Sequence, residues 1–381
     1  VGATIIEGDY DLEETALRQT FSWSANERHS LEFGAETALN SRDSDLRLFS
    51  DDGAVLSEIE LPVSTTRVEE DRQEVFTTHT WTLSESLQLE SGLRVEFSEI
   101  TQSGDAEQSR SFEYLKPRAV LTWRQDAQTR WRFSVLRDVA QLQFGKFAST
   151  VDLNDDTSVV GNPDYVPQRS WVAEAEWERR FGDDASLSIT ARYSDVQDLD
   201  GWLAGERDGS VFDTPGNIGD ASRLDLLLSA TTPLDAMGVS NALLDIDLSW
   251  NDTEVTDPLT GDTRRWSGPR EWGVQLDFRQ DLPVRQLAWG WDFSAFADSE
   301  AFRAREYRAL EHGERSLNAF VETTRFAGVS SRLGVRHMFG NIHNRERVFF
   351  NGSRADGIIS AVEHEQRKSF GLFYITFSGA F

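Results

Sequence analysis

The acidic run at residues 152–156 has the spacing of the first ligands in an EF-hand calcium loop. Asp152, Asn154 and Asp156 occupy the first, third and fifth positions of that loop. A complete loop also needs glycine at the sixth position and glutamate at the twelfth, where this chain has Thr157 and Pro163. We therefore interpret the run as a solvated acidic loop.

Three histidines near the carboxyl end are the other candidates for metal binding. His337 and His343 lie near the end of one predicted strand, and His364 lies across the following connection. Imidazoles close together can share a metal ion, but surface histidines give the same pattern. We favour the surface interpretation and predict no metal site.

The sequence contains no recognisable catalytic group. It has no cysteine, which excludes disulfides, thiol catalysis and cysteine-based zinc or iron–sulfur sites. It also lacks a Walker loop, a dinucleotide-binding glycine motif, a nucleophile elbow and a His-Glu-x-x-His motif. Its 65 acidic residues are too numerous for any pair to be assigned as acid and base. We predict that the protein is not an enzyme and needs no cofactor.

Aromatic residues in the predicted long loops are candidates for ligand contacts, because their rings can stack on a bound molecule. The candidates are Trp202, Phe212, Trp266, Phe302 and Tyr307. The alternative is that they pack the loops or belong to a belt of aromatic residues at a membrane interface.

The charge balance and the hydropathy limit the classes of partner. The 65 acidic residues outnumber 38 basic ones, which gives a formal charge of −27 and argues against binding to nucleic acid. No segment approaches the roughly 20 apolar residues that a membrane helix requires. The chain begins Val1-Gly2 without a basic, apolar leader, so we expect processing or truncation to have removed the original start.

Strict alternation of apolar and polar residues is the dominant pattern. In one segment Leu244, Ile246 and Leu248 alternate with Asp245 and Asp247. Other segments follow the same period of two, as at residues 87–97, 272–279 and 289–295, whereas no long window has a helical period. The pattern predicts an all-β protein.

Short and long connections alternate along the whole chain. The short ones fall near residues 25–29, 85–86, 125–129, 182–185, 234–240, 282–286 and 327–330. The long ones fall near residues 41–61, 101–110, 149–168, 201–220, 251–269, 297–315 and 341–363. This order is typical of a transmembrane antiparallel up-and-down β-barrel, with short turns at one end and long loops at the other. A soluble sandwich or propeller has no reason to keep it.

The number and length of the strands agree with a barrel in the membrane. Many alternating segments cover about ten residues, the length of a tilted membrane strand, and those around residues 94–100 and 192–198 continue as polar extensions. We count about fifteen strands from residue 15, and residues 1–6 would add the end of a sixteenth. Charged residues such as Glu174, Asp245, Asp247 and Arg279 are expected to face the lumen.

The carboxyl-terminal strand has the features of an assembly signal for outer-membrane barrels. Phe373, Ile375 and Phe377 alternate along it, and Phe381 is the last residue. Such a strand can pair with the barrel assembly machinery by strand addition; the alternative is an ordinary hydrophobic strand. The signal places the carboxyl end in the periplasm and the long loops outside the cell.

Residues 161–181 carry a resemblance to a known family. They look like the Gly-Asn-Pro-x-Leu-x-Pro-Glu segment of TonB-dependent outer-membrane receptors. The matching residues after the glycine are Asn162, Pro163, Pro167, Arg169 and Ser170, and the departures are Tyr165 and Gln168. Residues 115–123 and 130–147 resemble the hairpin that precedes this segment. The prolines would rigidify the foot of an external loop.

The resemblance, which extends over roughly residues 13–381, implies the later part of a twenty-two-strand barrel. In the family, an amino-terminal plug domain fills the barrel and a TonB box contacts the energy-transducing complex; neither is visible here. Residues 1–381 would then be a single partial barrel domain in the bacterial outer membrane, in contact with lipid. Its ligand would be an iron chelate, cobalamin or an oligosaccharide.

Three other hypotheses remain open. A passive sixteen-strand porin would have an open lumen and a loop folded inward, and a signal peptide would directly precede Val1 in its coding sequence. A barrel enzyme would need a nucleophile and base that this sequence lacks. A soluble all-β binding protein would be excluded by partitioning into the outer-membrane fraction.

Overall fold

The computed structural model describes residues 3–51, 55–59, 64–148, 150–152, 157–159, 161–207, 210–312, 315–326 and 329–379. Most of these residues form antiparallel strands. In the described part, the helical segments are the 3-10 turns η1 (Phe144–Lys146), η2 (Asp235–Met237), η3 (Pro283–Arg285) and η4 (Arg354–Asp356). None of the described helices has the length and apolarity needed to cross a membrane.

Fifteen long strands of the described chain form one antiparallel wall, in which neighbours follow chain order. They are β1 (Ala3–Asn26), β2 (His29–Asp51), β4 (Thr65–Ser84), β5 (Leu87–Gly104), β6 (Gln108–Arg124), β7 (Thr129–Val139), β10 (Arg169–Phe181), β11 (Ala185–Gln197), β14 (Ala221–Pro233), β15 (Ala242–Thr256), β17 (Trp272–Leu282), β18 (Leu287–Phe296), β21 (Ser316–Phe326), β22 (Val329–Arg336) and β25 (Leu372–Ser378). Within the described residues, β1 and β25 each pair on one side, with β2 and β22 respectively.

The remaining strands belong to the long connections. β3 (Leu56–Ile59) and β16 (Thr263–Arg264) extend the wall at the long-loop end. β8 (Thr150–Asp152), β9 (Thr157–Val159), β12 (Asp200–Arg207) and β13 (Ser210–Asn217) form a second sheet. β19 (Ser299–Phe302), β20 (Glu306–His312), β23 (Asn341–Phe350) and β24 (Ile359–Ser369) form a third.

Alternation gives the wall two different faces. Along β4, the even-numbered Val68, Glu74 and Phe76 are buried, whereas the odd-numbered Val75 and Trp81 are exposed. Successive side chains of a strand point to opposite faces, so the buried set defines an inner face and the exposed set an outer face. The inner face carries many charges and the outer face is apolar over its central part, which confirms the predicted transmembrane barrel architecture.

A ring of tryptophans marks the short-turn end of the outer face. The ring comprises Trp23, Trp81, Trp123, Trp131, Trp177 and Trp289, each close to a short turn. In the register, Trp131 lies opposite both Trp123 and Trp177. From Leu115, which is exposed, to Trp123, β6 comprises nine residues, within the range of about nine to eleven that a tilted membrane strand needs.

The short connections lie where the sequence predicts them, except that residues 327 and 328 lie outside the described residues. Several predicted long connections are wrong in their bounds. β2 continues through Asp51, and β5 and β6 leave only residues 105–107 between them. β15 continues to Thr256, whereas the β7–β10 and β22–β25 connections are longer than predicted, at residues 140–168 and 337–371. Ion pairs between neighbouring strands, such as Arg67–Asp43 at 2.8 Å, stabilise the part of β2 that the sequence predicts as loop. The separate strand expected at residues 1–6 is also wrong, since β1 runs unbroken from Ala3.

Because the two faces differ in environment, the same substitution at neighbouring positions of β7 should reduce the stability of the protein by different amounts. Val135 lies on the outer face and Ser134 lines the interior. Val135→Arg should lower the free energy of unfolding in lipid vesicles by about 2–4 kcal/mol, because it places a charge in hydrocarbon. Ser134→Arg is the matched control and should cost much less. Urea titration would contradict the assignment of faces if Ser134→Arg proved the costlier change.

Candidate functional site

The connection between β7 and β10 folds inward against the inner face of the wall. Leu142, Phe147 and Tyr165 pack in one buried cluster with Val68 of β4 and Ile100 of β5. The rings of Phe147 and Tyr165 meet edge to face, with centroids 6.2 Å apart. We call residues 140–148 and 161–168 of this connection the inward loop, and their packing against the inner face narrows the lumen at the long-loop end.

Polar contacts hold the inward loop in this position. Gln102 Nε2 donates to the carbonyl of Phe147 at 3.3 Å, and Lys146 Nζ donates to Tyr165 Oη at 3.3 Å. Lys146 also forms an ion pair with Asp200. Burial raises the pKa of Tyr165, and the Asp200 carboxylate raises it further. The phenol therefore remains protonated and its oxygen accepts from the lysine.

The family-like motif forms the foot of the inward loop. Asn162 Nδ2 donates to the carbonyl of Pro215 at 2.8 Å, and Arg169 forms an ion pair with Asp198. Pro163 is half-buried and Pro167 is buried. The motif thus fastens the inward loop to the neighbouring β11–β14 connection.

The glycine of the motif is required by a close backbone approach. A Cβ atom at Gly161 would lie 2.2 Å from the carbonyl oxygen of Phe147. Any larger residue would therefore displace the part of the inward loop that carries Phe147. The motif can be recognised in the sequence. Its packing partner Phe147, however, lies fourteen positions away from Gly161, and no local sequence pattern indicates this contact.

Three of the five aromatic ligand-contact candidates are engaged in packing between the outer loops. The Trp202 ring lies beneath Arg303, whose Cζ is 4.7 Å from the ring centroid. The ring of Phe212 packs directly against Gly205, where a Cβ atom would lie 2.1 Å from it. The ring of Phe302 lies below Arg264, at 4.3 Å. Their role as ligand contacts remains a prediction.

The other two candidates, Trp266 and Tyr307, line one cavity of about 560 Å³ among the outer loops. Trp266 Nε1 donates to the carbonyl of Glu254 at 3.0 Å, and Tyr307 Oη donates to Glu300 Oε1 at 2.6 Å. Burial and the bond to Glu300 raise the pKa of Tyr307. The structure brings these two together, while Trp202, Phe212 and Phe302 do not line this cavity.

Asp257 joins three of the long connections. It is 1% exposed, and its Oδ2 accepts from Arg264 Nε and Arg354 Nη2, both at 2.6 Å. Burial alone would raise the pKa of Asp257, but the two guanidinium bonds outweigh it and lower the pKa to about 2. Since Arg264 and Arg354 both lie over Phe302, the arrangement clamps the β15–β17, β18–β21 and β22–β25 connections together.

The β12–β13 hairpin joins this group through a second buried carboxylate. Asp213 Oδ1 accepts from the backbone N–H of Ala304 at 2.6 Å. Burial raises the pKa of Asp213, although the bond from Ala304 and the charge of Arg303 oppose the rise. Four long connections therefore form one packed assembly above the wall.

A cavity of about 720 Å³ opens on the inner face below these loops. Among the described residues, its lining includes six basic residues at inward-facing positions, Arg94, Lys116, Arg118, Arg132, Arg192 and Arg223, against the acidic residues Asp138, Glu174 and Asp225. The carboxylates paired with the first three basic residues, namely Glu74, Glu90 and Glu96, are not part of the lining. Two further lining cations are also paired, Arg192 with Glu174 at 2.6 Å and Arg223 with Asp225 at 2.7 Å. Among the described residues, Arg132 is the inward-facing cation outside these pairs, and its charge suits an anionic ligand.

Within the described residues, no group of three or more histidine, cysteine or acidic side chains could hold a metal ion. His337 contacts Ser316 at 3.2 Å and His364 contacts Glu346 at 3.2 Å. Residues 153–156 of the acidic run lie outside the described part of the chain.

The proposed assembly strand, β25, presents Phe373, Ile375 and Phe377 as exposed side chains. They alternate with Tyr374, which packs over Gly334 of β22. Phe381 lies outside the described residues. The apolar face of β25 thus points outward, as an assembly signal would require, and this role stays a prediction.

Residues 3–225 match the family model described as TonB dependent receptor-like, beta-barrel. The match covers more than half of the chain, and the chain belongs to this family. Its members are transport receptors of the bacterial outer membrane. No curated protein matches the chain in sequence.

Solved structures of receptors and transporters share the fold. The ferric yersiniabactin uptake receptor FyuA from Yersinia pestis is 12% identical with a TM-score of 0.66, over 99% of this chain and 56% of that one. The ferric citrate transporter FecA is 11% identical with a TM-score of 0.67, over 99% and 55%. The copper transporter OprC is 13% identical with a TM-score of 0.68, over 88% and 52%. This chain spans about half the length of these structures.

Removing the carboxylate at position 257 should release the clamped loops. Asp257→Asn leaves two buried guanidinium groups without their charged partner, which is strongly destabilising. We expect proteolysis of the long connections to accelerate at least tenfold at pH 7, whereas Asp262→Asn, an exposed carboxylate of the same connection, should have little effect.

The stabilisation that Asp257 provides through its two arginines depends on pH. The folded pKa of Asp257 near 2 lies below the unfolded value of about 3.9. The stabilisation is therefore present above pH 4 and is lost as the pH falls toward 2. Equal proteolysis of Asp257→Asn and the unchanged protein at pH 7 would contradict the clamp.

Proposed function

We propose that this chain forms the wall of a receptor that takes up a scarce anionic ligand by TonB-dependent transport. Membership of the receptor family supports the transport class. The observation that carries the ligand class is the cation-rich cavity on the inner face. A chelate of ferric iron with carboxylate groups has the charge that this cavity would attract; cobalamin and an oligosaccharide are the alternatives.

The mode of action follows from the parts that the wall provides. The outer loops receive the ligand, and the basic residues of the inner cavity lower its electrostatic energy inside the lumen. The outer face contacts lipid, and β25 is the strand offered to the barrel assembly machinery. No bond of the ligand needs to be broken, so the chain acts as a transporter.

The fifteen wall strands and the half-length match to solved receptors support a partial barrel. We propose that residues 1–381 form one domain of a twenty-two-strand barrel, whose plug and TonB box lie in other parts of the receptor. Contact with the TonB complex would then be made through the plug. The open edges of β1 and β25 would pair with further strands of the same wall.

A passive porin is the second candidate. The inward loop favours it, because Leu142, Phe147 and Tyr165 lie against the inner face, as the constricting loop of a diffusion channel would. The two functions differ in their energy requirement. A porin works without TonB, whereas a receptor of this family does not.

Uptake measurements in cells separate the two functions. Cells that express the receptor should accumulate radioactive iron from ferric citrate only when TonB is present. Arg132→Glu with Arg192→Glu should lower the initial rate at least tenfold, because it reverses two charges of the inner cavity. Arg28→Glu, in a short turn, is the matched control and should leave the rate unchanged.

Each alternative has its own outcome. TonB-dependent uptake of cyanocobalamin or a maltodextrin instead of iron would keep the receptor and replace the ligand class. Uptake that persists without TonB would support the porin and overturn the receptor proposal.

A further inference from the structure

We propose that His29 and His79 form a two-histidine site for a divalent transition-metal ion on the outer face of the wall. Nδ1 of His29 lies 3.0 Å from Nε2 of His79. The two ring planes are within 3° of parallel, and their centroids are 5.2 Å apart. The two nitrogens thus face each other across adjacent strands.

The register of β2 and β4 places the pair. His29 lies opposite Trp81, and His79 lies opposite Leu31. The two histidines are therefore diagonal neighbours on one face, a spacing that long and ring-bearing side chains can bridge. Because the strands are held by the ladder of the whole wall, their separation is fixed before any ion binds.

A side-chain cap fixes the backbone of His29 as well. Asn26 Oδ1 accepts from the backbone N–H groups of Arg28 at 2.8 Å and His29 at 3.0 Å. The turn that starts β2 is thereby closed, and His29 leaves it in one orientation. Rotation of both side chains about χ1 and χ2 would aim the two nitrogens at a common ion.

The distance between the nitrogens suits two adjacent ligand positions. Imidazole nitrogens bind such ions at about 2.0–2.1 Å. Two of them at a right angle are then about 2.9 Å apart, and at a tetrahedral angle about 3.4 Å apart. The observed 3.0 Å is closer to the first value, which copper(II) and nickel(II) prefer.

The proton count of the site balances for two neutral imidazoles. In the absence of metal, one imidazole N–H donates to the lone pair of the other ring. When the ion binds, that proton moves to the second nitrogen of its own ring, so that each histidine presents a lone pair. Water or a lipid phosphate completes the coordination, since the described residues offer no third histidine, cysteine or acidic group.

The site lies at the membrane boundary. The indole of Trp81, one of the tryptophans at the short-turn end, lies 5.6 Å from the imidazole of His29, measured between ring centroids. Both histidines are half-buried, so an ion in the aqueous phase can reach them beside the lipid headgroups. The site is separate from the inner cavity, and its failure would leave the proposed transport function standing.

Copper(II) binding to the 381-residue chain tests the proposal. The chain is purified in detergent with an affinity tag that contains no histidine, and copper(II) is added during calorimetry and electron paramagnetic resonance. We expect one tight equivalent whose spectrum shows nitrogen coordination. His29→Gln and His79→Gln should each weaken it at least tenfold, whereas His364→Gln should not change it.

Three outcomes would overturn the site. The first is a chain that binds no copper(II), and the second is an affinity that survives both His29→Gln and His79→Gln. The third is an equal loss in the His364→Gln control. Heat-modified mobility in gel electrophoresis reports folding of each variant, and His79→Asn replaces any variant that does not fold.

Discussion

The need to satisfy every backbone hydrogen bond inside hydrocarbon is the constraint on which this structure depends. Lipid offers no partner for an N–H or C=O group, so a membrane-spanning sheet must pair its strands continuously. Fourteen antiparallel ladders join the fifteen wall strands in chain order. Once this pairing is fixed, successive side chains must point to opposite faces of the wall. Whether a residue faces lipid or the lumen then depends only on its odd or even position along the strand.

The inner face has to neutralise the charges that this sorting collects. Glu74 and Glu96 lie directly opposite each other on β4 and β5, where two like charges repel. Lys116 Nζ lies 2.7 Å from Glu74 and 2.6 Å from Glu96, and Arg94 adds a contact of 3.0 Å to Glu74. The cations stabilise the carboxylates and still present their remaining donors to the lumen.

The wall could be predicted from the sequence because its signals are local. The alternation at Leu244–Trp250 and the short turns each depend on a few neighbouring residues, and a period of two leaves little ambiguity. The ends of the strands at the long-loop side could not be predicted. Polar residues such as Arg67 and Asp43 look like loop residues, yet cross-strand ion pairs continue the ladder through them.

The candidate sites were predictable only in part. The motif around Asn162 indicates where a long loop meets the barrel strand. Its hydrogen-bond partners Pro215 and Asn217, however, belong to another connection. The clamp at Asp257 joins Arg354, which is 97 residues away, and nothing in the spacing indicates it. The His29–His79 pair likewise depends on a register between strands fifty residues apart. Such contacts are properties of the assembled wall.

Spin labels placed along β7 test the assignment of faces most directly. The chain has no cysteine, so single cysteines at positions 131–136 can be labelled one at a time in lipid vesicles. Labels at 131, 133 and 135 should be accessible to oxygen dissolved in the lipid, and those at 132, 134 and 136 to a water-soluble nickel reagent. Equal accessibility at neighbouring positions would contradict a wall that separates lipid from lumen.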